Sequence, residues 1–479
     1  MYLLLSALPV VVVIVALVCG ARSLYAALGG VLAAACGVAL AFPLTQSQAS
    51  QALALWLPVL VEVVLIVGGG LLLSEVLRAS GAQQALAQWV LGQTGSGVGA
   101  VLLVVHGVTP FAESLTGFGI GITIGIPLLA HCGLPARKVA VIGLLGLCAV
   151  PWGSMGPGTL IAATMAGLPL DALGLASAWV SVIPFVLTGA AAAWLASAPG
   201  QRGRAVLQGV GSGLLLTAAV ALVNAVVGTP PAGALGALAM MVLFLWRARR
   251  SKQGGQMRVA LSPLGWRALQ AYGVLLGGVL LAGVLTNVLV NVLEGALQWT
   301  GMGHLLASPA LWLLVAALWF ARGRPGREGS LRVLRAWGQV APVTGLFIVL
   351  GVLMAASGMA AQLAHALAQG GSLYVFAAPF LGALGGFVTG SNTGANAMFA
   401  APQAEIAQAL GVAVLPFMAV HNVSAALLLM ASPGKVEMAC HLAPEGALAQ
   451  RRLVQTQVLL VDMAAVALMA MLNVAFALH

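Results

Sequence analysis

Residues 106–119 read HGVTPFAESLTGFG, and residues 389–396 read TGSNTGAN. Both stretches are polar and rich in glycine, yet each interrupts a long run of apolar sequence. Polar backbone at membrane depth is tolerated only where protein or a water-filled cavity satisfies it. We therefore expect each stretch to form the turn of a re-entrant hairpin, with Ser, Thr and Asn side chains capping the next half-helix. A polar kink that binds no ligand is the alternative interpretation.

The composition of the chain indicates that lipid is its solvent. Of 479 residues, 61% are hydrophobic and 6% are charged, whereas soluble proteins carry about 25% charged residues. Roughly 12 to 14 apolar segments are long enough to span a bilayer. We therefore expect an all-α polytopic membrane protein. The net charge of +10 comes from arginines in short loops, which favours positive-inside topology over nucleic-acid binding.

The basic residues also predict an orientation in a bacterial inner membrane. Arginines cluster at residues 247–258 and again at 322–335, and both clusters belong on the cytoplasmic side. With Arg22 also inside, we expect the N-terminus and the C-terminus to lie outside. A cytoplasmic linker at 247–267 is then expected to separate a first half, residues 1–246, from a second half, residues 268–479.

An internal repeat relates the two halves. Residues 79–81 (ASG) recur 277 positions later, and at the same offset the SLTG of residues 114–117 meets SNTG. A further break, the GP of residues 156–157, meets PG at that offset. Repeats of this kind are typical of transporters, which bind substrate near the membrane midplane at the repeat interface.

The two repeats are expected to be inverted relative to each other. Arg78 places the first ASG near the cytoplasm, whereas Arg332 and the span after it place the second ASG outside. The core hairpins are expected near residues 106–130 and 373–410, with discontinuous helices around them.

Two opposed hairpin turns would cradle a small organic anion, because N–H groups at the start of a half-helix attract negative charge. A second break follows each turn, at residues 152–158 and 432–435. Lys435 either neutralises a carboxylate there or lies at a span end and extends to the interface. The expected anion-binding residues are Ser114, Thr116, Gly117, Phe118, Gly119, Ser391, Asn392, Thr393, Gly394, Asn396, Ser432 and Lys435.

Four ionisable residues are candidates for carrying a coupling proton. Glu113 and Glu62 lie in apolar sequence, where a carboxylate is costly and usually functional. The alternatives are that Glu113 faces water at the turn and that Glu62 pairs with an arginine. His106 and His421 belong to the residue type that titrates near neutrality, although a single membrane histidine is more often a hydrogen-bonded packing residue.

Motifs for other chemistry are missing from the sequence. There is no Walker motif, no dinucleotide fingerprint followed by a strand, and no His/Cys metal cluster. We therefore expect no cofactor, no metal, no catalytic residue and no ATP-driven transport by this chain. A membrane-embedded enzyme would use Glu113 and His106 as acid and base, but no nucleophile accompanies them. A passive channel is a further alternative. Channels favour pores lined by symmetric subunits, whereas this chain is expected to contain two inverted repeats.

These motifs resemble those of the L-lactate permease family. Residues 111–119 (FAESLTGFG) look like that family's FLEGAAGFG, and residues 153–156 (GSMG) are similar to its GAMG. Residues 389–399 (TGSNTGANAMF) resemble its TGSDTSSNALF, and the SP at 432–433 and the AC at 439–440 also match. The resemblance implies proton-coupled uptake of lactate, glycolate or a related 2-hydroxy monocarboxylate. The broader ion-transporter superfamily implies an elevator-like mechanism, often in homodimers.

Two positions depart from the family's pattern. The family's Asp in GSDT is Asn392 here, and Lys435 stands where the family has a small polar residue. Both changes make the expected site more positive. They leave open a more anionic substrate, such as a dicarboxylate or a sulfonate, and coupling to sodium instead of protons.

Overall fold

The computed structural model describes residues 1–93, 97–117, 119–250, 260–292, 308–322 and 326–478. Within these ranges the protein is helical and contains no strand, which confirms the predicted all-α class. Twelve helical segments in the described part are long and apolar enough to cross a membrane, at the lower end of the predicted number. The protein is therefore a multi-pass membrane protein.

The helices are numbered in chain order. Those of the first half are α1 (Tyr2–Val18), α2 (Ser23–Leu40), α3 (Gln46–Ala79), α4 (Ala82–Gln93), α5 (Val98–Leu103), α6 (Thr109–Thr116), α7 (Ile120–Ala130), α8 (Ala136–Leu145), α9 (Pro157–Ala166), α10 (Leu170–Val180), α11 (Val182–Ala196), α12 (Arg202–Val226) and α13 (Ala232–Arg250). Those of the second half are α14 (Pro263–Val292), α15 (Pro309–Phe320), α16 (Arg327–Ala356), α17 (Met359–Ala368), α18 (Ser372–Thr389), α19 (Asn392–Ala409), α20 (Val414–Leu427), α21 (Pro433–Leu442) and α22 (Arg451–Ala477). Short tighter or wider segments join some of them: a π-helical turn (Val104–Val108) and 3-10 segments (Gly146–Met155, Pro199–Gln201, Leu428–Ala431, Leu448–Gln450).

The two halves contain their elements in the same order. A long helix (α3, α16) is followed by a short one (α4, α17) and then by a hairpin (α5–α6 with α7, α18 with α19). Next come a helix that breaks in a 3-10 segment (α8, α20) and its continuation (α9, α21). Both long helices end at the ASG motif, where Gly81 (φ 76°) and Gly358 (φ 82°) adopt the left-handed conformation that terminates helices. The inverted orientation of the halves and the elevator-like mechanism stay predictions.

The predicted register of the repeat is wrong at the turns and breaks. In the structure the first turn begins at Thr116-Gly117 and the second at Thr389-Gly390, so Thr116 corresponds to Thr389 and not to Thr393. Both threonines donate a hydrogen bond to the carbonyl four residues earlier, at 2.6 and 2.7 Å. At the breaks, Pro157 corresponds to Pro433, because each is the first residue of its helix. The ungapped offset fails because the distance from the ASG glycine to the turn differs: it is 36 residues from Gly81 to Gly117 and 32 from Gly358 to Gly390, and α4 (12 residues) and α17 (10 residues) account for part of this difference.

The hairpins and broken helices form the interior of the molecule. In the most apolar 18-residue stretch of the span Val98–Thr116, 89% of the residues are buried inside the protein. The buried share is 83% for both Ala136–Met155 and Val414–Ala431. The corresponding figure is 28% for α2 and α3. Buried polar segments therefore lie where protein surrounds them, as non-helical backbone at membrane depth requires.

The predicted linker at 247–267 is helical at both ends. α13 extends to Arg250 and α14 begins at Pro263. Residues 251–259 lie outside the described part of the chain. The last turn of α13 carries Arg247, Arg249 and Arg250, a favourable place for cations because helix C-termini are electronegative.

Candidate functional site

The first hairpin turn is held by a carboxylate of the protein itself. Glu113 is 5% exposed, and its Oε1 and Oε2 accept hydrogen bonds from the N–H groups of Gly119 (2.8 Å) and Gly121 (3.0 Å). These N–H groups lie at the start of α7, where helices attract anions. The prediction that Ser, Thr or Asn caps this half-helix is therefore wrong, and so is the alternative that Glu113 faces water.

The second hairpin turn is capped as the sequence predicts. Ser391 precedes α19, and its Oγ accepts a hydrogen bond from the N–H of Gly394 at 3.2 Å. Thr389 Oγ1 also accepts a bond from the N–H of Ser391 at 3.2 Å. Two side-chain oxygens thus hold the backbone where α18 ends and α19 begins.

The first break is strained backbone beside the first turn. Ser154 (φ 45°) and Met155 (φ 64°) are two of the three non-glycine residues in the described chain with positive φ. Such conformations cost energy and cluster at functional sites. A methyl group added at Gly117 would lie 2.6 Å from Ser154 Cβ, so the turn and the break are in direct contact. Ser154 Oγ is buried without a hydrogen-bond partner among the described residues.

The second break repeats this arrangement. Ser432 precedes Pro433, and a methyl group added at Gly390 would lie 3.4 Å from Ser432 Oγ. Ser432 Oγ is likewise buried without a partner in the part of the chain described. Each turn therefore meets a serine from the break of its own half, and both hydroxyls are available to a ligand.

The turns also contact the breaks of the opposite half. A methyl group added at Gly158 would lie 2.6 Å from Asn392 Nδ2 and 3.1 Å from the backbone nitrogen of Thr393. A methyl group added at Gly119 would overlap Lys435 Nζ. Lys435 is half-buried and interacts electrostatically with Glu113. The predicted snorkelling of Lys435 to the interface is wrong, because its ammonium group lies against the first turn.

These four contacts close a ring that we call the tip–break ring, consisting of Gly117 and Gly119 of the first turn, the break at 154–158, the turn at 390–393 and the break at 432–435. The start of α7 contacts the start of α21, and the start of α9 contacts the start of α19. Helix N-termini carry partial positive charge, and Lys435 adds a full charge. Glu113 is a carboxylate already bound within this ring, so a further anion would be attracted mainly by the N-termini of α9, α19 and α21 and by Lys435.

An amide network joins the halves beneath the second turn. Asn422 Oδ1 accepts bonds from Asn396 Nδ2 (2.9 Å) and Asn392 Nδ2 (3.4 Å). Asn422 Nδ2 donates to Thr159 Oγ1 and Ser177 Oγ, both at 3.1 Å. All five residues are at most 5% exposed. Asn392 Oδ1 also accepts from Asn396 at 2.9 Å, so an amide at residue 392 both donates and accepts.

The other predicted anion-binding residues lie in different places. Ser114 faces α13, where a methyl group at Gly233 would lie 2.6 Å from its Oγ. The hydroxyl of Thr116 donates its hydrogen bond within its own helix, to the carbonyl of Ala112. Gly394 faces Phe347 of α16. Phe118 lies outside the described residues.

The predicted proton carriers are not brought together. His106 bonds Ser212 Oγ at 2.7 Å and Thr188 Oγ1 at 3.4 Å, which fits a packing residue between α11 and α12. His421 is 1% exposed and packs against Gly382, and neither ring nitrogen has a partner among the described residues. Glu62 is half-buried on α3 and forms no ion pair among the described residues, so its pairing with an arginine stays an alternative.

Several site residues escaped the sequence analysis. Ser154 lies within a recognised break, but only the structure shows its strain and its contact with Gly117. Asn422 lies beside His421, and its amide, not the imidazole, joins the network. Thr159 and Ser177 occur in helices with no local sign of function.

Comparisons with known proteins agree with this architecture. A model of the L-lactate permease family matches residues 304–475. The L-lactate permease of Streptococcus iniae is 28% identical over 340 residues, which are 65% of this chain and 70% of that protein. Over these stretches the chain is similar to the L-lactate permease family.

Shorter alignments to this family have higher identity. The L-lactate permease of Escherichia coli K12 is 41% identical over 96 residues, and the glycolate permease GlcA of the same strain is 35% identical over 96 residues. Each alignment covers 20% of this chain and 17% of the Escherichia coli protein. The family match at 304–475 includes the second turn, the second break and the amide network's three asparagines.

Proposed function

We propose that this protein is a secondary active transporter that carries a small organic anion across the bacterial inner membrane. The substrate is lactate, glycolate or a related 2-hydroxy monocarboxylate, and transport is coupled to protons. The observation that supports this proposal most strongly is the tip–break ring, in which four helix N-termini and Lys435 surround unpartnered serine hydroxyls.

The ring offers both kinds of contact that a 2-hydroxy acid needs. The carboxylate of the 2-hydroxy acid would bind the ammonium of Lys435, because hydrogen bonds between charged groups are stronger than those between neutral groups. Its hydroxyl would bond Ser154 or Ser432, whose Oγ atoms lack partners in the described structure. Glu113 already occupies the N–H groups of α7, so the carboxylate of the substrate would be attracted by Lys435 and by the N-termini of the other three helices.

Transport requires the ring to open alternately to the two sides. The proposed route is elevator-like movement of the hairpins and broken helices against the outer helices, with the two halves inverted. Both termini then lie outside the cell, and a homodimer would provide the stationary scaffold. The elevator-like movement is supported by the repeated element order and by the burial of the hairpins.

Other substrates and activities are less well supported. A dicarboxylate or sulfonate would bring a second or stronger negative charge to a ring whose Lys435 already interacts with Glu113. Sodium coupling would need a set of oxygen ligands. An enzyme using Glu113 and His106 is disfavoured, because Glu113 caps α7 while His106 bonds α11 and α12.

Reconstitution tests the proposal. Purified protein in proteoliposomes loaded with unlabelled L-lactate should take up labelled L-lactate by counterflow, and an inward proton gradient should drive accumulation. Glycolate should compete with labelled L-lactate for uptake. Succinate serves as the comparison substrate, and a sodium gradient serves as the comparison for the proton gradient. Counterflow of succinate without counterflow of any 2-hydroxy monocarboxylate would overturn the substrate assignment. Currents through open single channels would overturn the carrier mechanism.

A further inference from the structure

The last helix, α22, contains a buried acidic residue that sequence analysis did not select. Asp462 has 0% exposure, and neither of its carboxyl oxygens has a hydrogen-bond partner among the described residues. Its neighbours on the same buried face of α22 are apolar: Val458, Ala465 and Val466. The carboxyl group therefore lies on a buried and locally apolar face of α22, near the middle of this 27-residue helix.

No charged group among the described residues pairs with Asp462. α22 packs against α8, α11, α18, α20, α21 and the 3-10 segments Leu428–Ala431 and Leu448–Gln450. The titratable or charged residues on these elements are Arg137, Lys138, Tyr374, His421, Lys435, Glu437, Cys440 and His441. None of them forms a hydrogen bond or ion pair with Asp462.

Lys138, Glu437 and His441 form hydrogen bonds or ion pairs with residues other than Asp462. Lys138 donates to the carbonyl of Leu195 at 2.7 Å. Glu437 pairs with Arg451 at 3.0 Å and with His441 at 3.2 Å. An ionised carboxylate without a partner cannot be maintained in such surroundings, because the desolvation cost is too large. In this conformation Asp462 therefore holds a proton.

We propose that Asp462 is the residue that carries the coupling proton. This inference rests on the proposed function. In a conformation open to one side, an ionised Asp462 forms an O–H bond with a proton from water. The neutral carboxyl then becomes buried as in this structure, and the O–H bond breaks to water on the other side.

Glu113, a second buried carboxyl of the protein, has a different role. Both of its oxygens accept backbone N–H bonds, and it interacts with Lys435. Such contacts suit an ionised carboxylate, which only accepts. Glu113 is therefore a positioning residue for the first turn, and Asp462 is the buried carboxyl left to bind and release a proton.

Infrared spectroscopy of purified protein tests the protonation directly, with no need for a substrate. The wild type at neutral pH should show the C=O stretch of a protonated carboxylic acid, and Asp462→Asn should lose it. Asp462→Asn matches the protonated side chain in size and charge, so the fold should be retained. Persistence of the band in Asp462→Asn, or its loss in Glu113→Gln or Glu62→Gln instead, would overturn the proposal.

Proteoliposome assays then separate this proposal from the proposed function. Wild-type counterflow of L-lactate tests the function itself, and its absence would sink that function whatever the infrared result. Asp462→Asn should keep counterflow and lose accumulation driven by a pH gradient. Accumulation at the wild-type level, or loss of counterflow together with accumulation, would contradict Asp462 as the proton carrier.

Discussion

The ammonium group of Lys435 occupies the space that a side chain at Gly119 would fill. Gly119 also has φ 81° and donates its N–H to Glu113 at 2.8 Å. A residue from the second break thus contacts the first turn, and the same glycine connects it to the buried carboxylate. This contact brings a positive charge from the second half to the helix start in the first half.

Lys435→Ala should weaken substrate binding without unfolding the protein. A hydrogen bond to a charged group contributes about 1.5–3 kcal/mol, which corresponds to a rise in KM of roughly 10- to 100-fold. Counterflow kinetics with L-lactate measure this change. Lys435→Arg should also lose affinity, because a larger head group does not fit against Gly119. Wild-type KM in both variants would remove Lys435 from the site.

Gly158→Ala should impair transport by separating the first break from the second turn. Gly158 lies inside the first turn of α9, so alanine is compatible with its backbone, but the added methyl would lie 2.6 Å from Asn392 Nδ2. Overpacking of this kind costs about 1–3 kcal/mol. We expect initial rates of uptake to fall by about tenfold or more.

A glycine with free space provides the matched control for this variant. Gly211 lies in α12, and an added methyl there would meet no atom within 4 Å. Gly211→Ala should therefore transport like the wild type. Equal rates in Gly158→Ala and Gly211→Ala would mean that the contact at Asn392 does not matter for transport.

Asn422→Ala should destabilise the protein more than a comparable buried asparagine does. It removes four hydrogen bonds, two of which join the halves, and each buried polar group left unpaired costs about 1–3 kcal/mol. Asn473 is equally buried but makes one bond, to the carbonyl of Val375. The unfolding temperature in detergent should be lower for Asn422→Ala than for Asn473→Ala. The reverse order would refute the role of the amide network in stability.

Ser154→Gly should raise stability while lowering affinity. Glycine tolerates the positive φ of residue 154, so the substitution relieves about 1–2 kcal/mol of backbone strain. It also removes an unpartnered hydroxyl beside Gly117. We expect a higher unfolding temperature and a higher KM for L-lactate in the same protein.

Arg322→Gly separates the two effects of that substitution. Arg322 is exposed and has φ 55°, so glycine should stabilise it without changing transport. If Ser154→Gly leaves KM unchanged while raising the unfolding temperature, Ser154 stores strain but does not contact the substrate.

Sequence alone predicted the breaks but not their partners. Glycine, proline and polar residues inside apolar runs identify local interruptions, because few other residues tolerate them at membrane depth. The turns at Gly117 and Gly390 and the breaks before Pro157 and Pro433 were therefore predictable. Which group fills the space beside each glycine depends on tertiary packing, so the contacts of Ser154 and Lys435 were not.

The polar residues inside regular helices were harder to assign. Ser177 has no glycine or proline beside it, and nothing local distinguishes it from tolerated polar residues. Asp462 lies in apolar sequence as Glu62 does, so the rule that selected Glu62 applies to it as well. His106 attracted interest because of its type, yet the structure gives it two hydroxyl partners. The ungapped repeat placed Thr393 opposite Thr116, since a sequence offset cannot register the different distances from the ASG glycine to the turn in the two halves.

Equilibrium binding of L-lactate to purified protein, measured by calorimetry, tests most directly whether the tip–break ring is the substrate site. The wild type and Gly211→Ala should bind with the same Kd, whereas Lys435→Ala and Gly158→Ala, which alter opposite sides of the ring, should each bind about tenfold more weakly or worse. Equal Kd values in all four proteins would contradict the account, because the anion would then bind elsewhere.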